Sequence, residues 1–193
     1  IHGKGESDVI IIKSSYCELN NLDIFQGNNK SGNAVTISDG FTKLTNCRIQ
    51  SELLSSVQVD GQSQVLIEHC SLFGPQNPIL LVTDNAIVNV KTTDLRNTKT
   101  HGICIEKSAS LIVEDCKFTD IDNTAIAISD HARVFAKGSH FSQIRHIAID
   151  NLSTSQVIVD GCSFDNITTC GVNVCGQGHS ALVRSSKFTT CNL

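Results

Sequence analysis

From Leu111 to Phe118 the chain reads LIVEDCKF: Leu111 and Val113 alternate with polar or outward positions, Glu114-Asp115 interrupts, and Cys116 and Phe118 resume the alternation. The same pattern returns as Val65, Ile67, Cys70, Leu72, as Val88, Val90, Thr93, Leu95, as Val134, Ala136, Ser139, Phe141 and as Val157, Val159, Cys162, Phe164, with a step of 23 residues each time. Two less regular copies precede these. Thr42, Leu44, Cys47, Ile49 keeps the register, and Leu19, Leu22, Ile24 keeps it once two extra residues are allowed in the loop GNNKSGN. A last copy, Ala181, Val183, Ser186, Phe188, carries one insertion. An unbroken fixed period means one structural unit stacked on itself, here about eight times, and argues for one domain over residues 1–193.

Each unit also holds a third extended segment, a V-x-I pair: Val35/Ile37, Val57/Val59, Leu80/Val82, Ile103/Ile105, Ile126/Ile128, Ile147/Ile149 and Val172/Val174. Three strands and three bends consume the repeat and leave no room for a helix. Strands of successive turns then pair in parallel about 4.8 Å apart, giving a coil roughly 38 Å long. The expected fold is all-β, a single-stranded right-handed parallel β-helix with three strands per coil, the hand following the rule for parallel crossovers. The second residue of the bend between the second and third strands is Asn46, His69, Thr92, Asp115, Gly138, Gly161 and Ser185 in turn. Asn, Asp, His and Gly best tolerate a left-handed backbone, which a repeated two-residue bend requires at a fixed place.

On that bend and on the three-strand repeat, most of the chain resembles the pectate-lyase-like β-helix superfamily. The opening Ile1-x-Gly3-x-Gly5 and the recurrent apolar-Cys-apolar pattern make it similar to the β-helical repeat domains of eukaryotic adaptor proteins, such as F-box substrate receptors and the Shc-SH2-domain-binding spindle protein. That resemblance implies protein binding, with glycan affinity as a further expectation. The rival fold is a leucine-rich repeat, whose opening Val113-x-x-Cys116-x-Phe118 mimics. It requires Asn or Cys three residues on, where Ile121, Ile144 and Ile167 stand, and it has no counterpart for the two additional strands.

Net charge is −4 with scattered Lys and Arg, which gives no basis for a nucleic-acid groove or an anionic membrane surface. No apolar run approaches a membrane span, and no signal peptide is legible. The chain opens on Ile1, so the expectation is a domain excised from a longer polypeptide. Nine cysteines without a C-x-x-C pair fit neither a disulfide framework nor a zinc site. Cys47, Cys70, Cys116 and Cys162 share one repeat position, held by Leu22 elsewhere, and read as a core ladder of free thiols suited to a reducing, cytoplasmic compartment. Oxidised pairing between neighbouring turns applies only to Cys47 and Cys70. The sequons at Asn29, Asn151 and Asn166 favour the alternative, secretion.

Enzymes of the superfamily work on the outer face of the first strand, which the resemblance makes the place to look for chemistry. The outward positions there read Thr36, Gln58, Leu81, Cys104, Ala127, Ala148 and Asn173. Just beyond the strand come Asp60, Glu106 and Asp150, two turns apart from one another and so about 9–10 Å between backbones. Paired carboxylates at about 6.5–9.5 Å suit an inverting glycosidase, although acidic residues are common at solvated strand ends. The polygalacturonase signatures are missing, since the chain has only Thr100-His101-Gly102 and Asp122-Asn123-Thr124. Asp84 and Asp130, with Lys107 between them, make a poor calcium cage. His101 and Arg145-His146 precede the first strand and could project from one side. The remaining histidines share no repeat position, and neither a metal nor another cofactor is expected.

Alternation instead makes Leu66, Ile112, Phe135, Ile158 and Leu182 outward residues of the second strand, where Lys43 and Asn89 stand in other turns. A row of large apolar residues on an outer face has the character of an interaction surface. The sequence therefore points to a non-enzymatic module presenting a rigid face to a protein partner or to a flanking domain of the same polypeptide. The alternatives are a polysaccharide lyase or inverting hydrolase on acidic polysaccharide, using Asp60, Glu106 and Asp150, and the tip domain of a trimeric fibre, which the cysteines disfavour.

Overall fold

Short extended segments joined by bends are what the repeat dictates, and the computed structural model contains strands and no helix among the residues it describes, 1–3, 5–27, 31–74, 76–175 and 180–191. Successive coils pair in parallel with the 23-residue step kept strand after strand, for example Val88↔Leu111↔Val134↔Val157 in the second strands and Leu95↔Phe118↔Phe141↔Phe164 in the third. The third strands form a nine-stranded sheet. The first and second strands form one fourteen-stranded sheet, with Ile10–Asn20 paired to Val35–Thr45 off its main path, because these two strands run unbroken through the corner that separates first and second strands in later coils. The fold is thus the expected parallel β-helix of about eight coils.

Every bend residue named from the sequence has a left-handed backbone: φ is 52° at Asn46, 54° at His69, 47° at Thr92, 52° at Asp115 and 53° at Ser185, with Gly138 and Gly161 alike and Asn21 extending the column. Two further left-handed columns were not anticipated. One turns the corner between the first and second strands at Gly61, Asp84, Lys107 and Asp130. The other lies inside the third strand at Asn97, Asp120, Gln143, Asn166 and Thr190. There the bulged residue faces out and resets the alternation, so that Ile121, Ile144 and Ile167 turn inward three residues after Phe118, Phe141 and Phe164.

The core is a set of columns. Phe118, Phe141 and Phe164 stack in the core and the exposed Phe188 continues the column, with ring centres 4.7, 4.9 and 4.6 Å apart and planes within 12°. Cys47, Cys70, Cys116 and Cys162 are buried and all nine cysteines are free. Their position is a hydrogen-bonding one, occupied in order by Cys, Cys, Thr, Cys, Ser, Cys and Ser. Thr93 accepts from the Cys70 amide at 3.2 Å, Ser139 from Cys116 at 3.1 Å, Ser186 from Cys162 at 3.2 Å, and the Cys70 thiol from Cys47 at 3.4 Å. Each such group also donates to the carbonyl two residues before it, as Ser139 does to Lys137 at 3.1 Å. Leu22 had suggested a purely apolar site. The ladder instead needs a small O–H or S–H after each left-handed bend, to pair a backbone N–H that would otherwise be buried unsatisfied.

Candidate interaction surface and the first-strand face

The pleat of the second strands decides which columns face out. Lys43, Leu66, Asn89, Ile112, Phe135, Ile158 and Leu182 pair in one unbroken row. Their neighbours on either side, such as Leu111 and Val113 or Val157 and Val159, are buried in every coil but the last, where Ala181 and Val183 are exposed. Leu66, Ile112 and Phe135 are half-buried against one another, and Ile158 and Leu182 are 39% and 49% exposed. Ile112, Phe135 and Ile158 line a shallow groove of about 210 Å³. A parallel outward row two residues further on runs Glu68, Lys91, Glu114, Lys137, Asp160, Arg184, alternating in sign. Lys43 joins it by pairing with Glu68 at 3.3 Å, while Lys91 pairs with Glu114 at 3.1 Å and Arg184 with Asp160 at 2.8 Å. On the other flank Tyr16 stacks on Phe41 at 5.9 Å, and Ile87 is exposed two coils on. The result is an apolar stripe bordered by charges that neutralise each other. The border and the Tyr16–Phe41–Ile87 column were legible only as i, i+23 neighbours.

The first-strand face differs from the sequence reading at one point. Ile149, not Ile147, pairs with Ile126, so the inward pair of that coil is Ile149 and Asn151, and Ile147 merely lengthens the strand toward Cys170. The apolar spacing Ile147-x-Ile149 looked like the motif, but the backbone ladder holds its 23-residue step and places Asn151 in the core instead. Asp150 therefore stands on the outward row with Cys104 and Ala127 and not beyond the strand, and Ala148 is buried. Asp60 and Glu106 keep the expected shared position, each amide bonding to the preceding coil as Thr83 and Ser129 do. The three acids are consequently not one column. Asp60 accepts from Gln58 at 3.1 Å. Asp150 is 7% exposed and accepts from Asn173 at 2.7 Å.

His101 is half-buried near Asp150, and its Nδ1 has no partner. Burial holds its imidazole below the usual histidine range, with Asp150 pulling the other way and His146 adding to the depression. The Cys104 thiol is pushed up to about 12 by burial, the Glu106 charge contributing. Arg145, next to His146, is taken by Asp122 at 3.0 Å. This face thus holds a neutral imidazole beside a buried carboxylate and an inert thiol. At the corner, Lys107 donates to Asp84 at 2.5 Å and from its amide to Asp130 at 2.9 Å, and Asp84 also accepts from the Gly61 amide at 3.0 Å. These acids cap the bends, and no group of three or more His, Cys, Asp or Glu suited to a metal occurs among the described residues. Of the sequons, Asn151 is fully buried and Asn166 exposed, while Asn29 lies outside the described residues.

No curated protein and no solved structure matches the chain. A family model does, described as the right handed beta helix region, over residues 1–133 and again over 78–192. The two overlapping matches reflect the repeat itself, which allows the same unit to be placed from either end. On this match and on the coil geometry, the chain belongs to the right-handed β-helix family.

Proposed function

We propose that this chain is a non-enzymatic binding module whose second-strand face docks a protein partner. The observation that carries the reading is the row Leu66, Ile112, Phe135, Ile158 and Leu182, apolar across rigidly spaced coils and bordered by ion pairs that need no further partner. Surfaces of this kind, apolar with a polar rim, mark interaction sites. Four buried reduced thiols favour a reducing compartment. The test is a photo-crosslinking side chain at position 135 in the intact protein in its own cell, with position 119 on the third strand as control. A discrete protein adduct at 135 that disappears in an Ile112→Lys, Ile158→Glu background is expected. Equal crosslinking at both positions, or an adduct indifferent to the flanking charges, would sink the reading.

The second reading, a carbohydrate-active enzyme, draws on His101 beside the buried Asp150 rather than on a column of Asp60, Glu106 and Asp150. It requires a hydrolytic or eliminative rate on acidic polysaccharide that Asp150→Asn and Glu106→Gln abolish. The binding-module reading expects no such turnover.

A further inference from the structure

Phe73 is 9% exposed although it belongs to no part of the core, and it is the one buried aromatic ring of which that is true among the described residues. It stands on the outer face of the third strands, in register with Gln50 of the preceding coil and Arg96 of the next. Two arginines cover it. The guanidinium carbons of Arg48 and Arg96 lie 5.2 and 4.9 Å from the ring centre. Five other Lys and Arg residues reach across coils to a carboxylate. Arg48 and Arg96 do not, although Asp23 pairs in register with Arg48 and Asp94 shares a strand with Arg96. Both are exposed and neither forms an ion pair among the described residues.

The ring and its two cations sit in a cavity of about 740 Å³, which Asn46, Gln50 and Asn97 also line, and no carboxylate lines it. Each guanidinium lies over Phe73, is exposed and forms no ion pair among the described residues, so its N–H groups are available to a carboxylate, which a guanidinium recognises through two parallel hydrogen bonds. Being two coils apart, the arginines offer two such positions on the order of 10 Å from each other. A peptide in the polyproline II conformation, with three residues per turn and a rise of about 3.1 Å, brings side chains three residues apart to one side at about 9 Å. The amides of Asn46, Gln50 and Asn97 can each donate and accept, which matches the groups of a peptide backbone. A sugar ring would seek an open aromatic face, and Phe73, covered by two guanidinium groups, is only 9% exposed.

We propose that the Arg48–Phe73–Arg96 cavity binds an acidic peptide segment in the polyproline II conformation, with carboxylates three residues apart, one on each guanidinium. This site is distinct from the apolar row and stands whether or not that row docks a partner.

The experiment is fluorescence anisotropy of a labelled eight-residue peptide carrying two aspartates three positions apart, titrated with the intact domain at low and at physiological salt. Saturable binding is expected, weakening with salt. It should fall at least tenfold when both aspartates become asparagines, and by a similar factor in Arg48→Gln or Arg96→Gln. Arg48→Lys should recover only part of the loss, because an ammonium cannot make the paired contact. Lys117→Gln, outward in the same sheet, should bind like the unaltered protein, and unchanged circular dichroism of the arginine variants excludes unfolding as the cause. A peptide affinity untouched by the double Arg48→Gln, Arg96→Gln change would overturn the site. A heparin-type sulfated oligosaccharide that binds more tightly than the peptide and is lost in the same variant would overturn its assignment to peptide.

Discussion

The column Phe118, Phe141, Phe164, Phe188 and the row Ile112, Phe135, Ile158, Leu182 run through the same four coils, both built of large apolar residues at the same repeat spacing. Phe118, Phe141 and Phe164 are no more than 1% exposed, whereas Ile158 and Leu182 stand 39% and 49% in the open; in the last coil the contrast lapses, since Phe188 is itself 47% exposed. The period alone produces columns of either kind, and only the phase of the alternation within the strand separates core from surface. An interior column is held by its neighbours above, below and across the coil. An exterior row has neighbours only above and below, so its remaining contact surface is left to water or to another molecule.

The sharpest way to break this comparison is to truncate, within one coil, the phenylalanine of each column. Phe141→Ala is expected to cost about 3–5 kcal/mol of unfolding free energy, while Phe135→Ala costs less than about 1.5, as read from denaturant midpoints. Equal losses would mean that the outer row is covered within the chain itself. Next in size is the hydrogen-bonded ladder beside the phenylalanines. Ser139→Ala strands the Cys116 amide and is expected to cost about 1–3 kcal/mol. Ser139→Cys should be close to neutral, because thiols fill that place in the coils of Cys116 and Cys162. If both substitutions cost the same, the position is selected for size and not for its donor and acceptor.

Smaller effects come from groups on the outer faces. His101 has a folded value below its ordinary 6.5, so below that pH the unfolded chain binds more protons than the folded one. Stability is expected to be full above pH 6.5 and to fall as the pH drops from there toward the lower folded value, with His101→Gln flattening the slope. A slope that survives the substitution would assign it elsewhere. The least perturbing probe is thiol labelling of the native protein. Cys175, the exposed thiol, should react at once, and Cys47, Cys70, Cys116 and Cys162 only on unfolding. Burial pushes the Cys116 thiol up to about 12, which further quiets it.

The coil architecture was legible because its signals are local in each repeat. Alternation marks strands, and Asn46, His69 and Asp115 advertise a left-handed bend by residue type. In the other two columns Gly61, Asp84, Asp130, Asn97, Asp120 and Asn166 carry the same mark, but Lys107, Gln143 and Thr190 interrupt it, and those columns were missed. Asp150 was misplaced because Ile147-x-Ile149 satisfied the local motif, whereas the register is set by hydrogen bonds to residues 23 positions away. The Phe73 cavity depends on side chains from three coils, spread between Asn46 and Asn97, and no window of sequence holds them together. The outward row was found because it needed only the phase of one strand.

The left-handed columns carry one more consequence. Asn and Gly relax into such a backbone, but Thr92 and Thr190 occupy it with a branched side chain, at φ 47° and 54°. A β-branched residue there is strained, by roughly 1–2 kcal/mol for the left-handed form. Both positions face solvent, so asparagine or glycine could relieve that strain without disturbing a single packed atom. The chain therefore holds headroom for thermal hardening at sites that its own repeats identify, by comparison of one coil with the next.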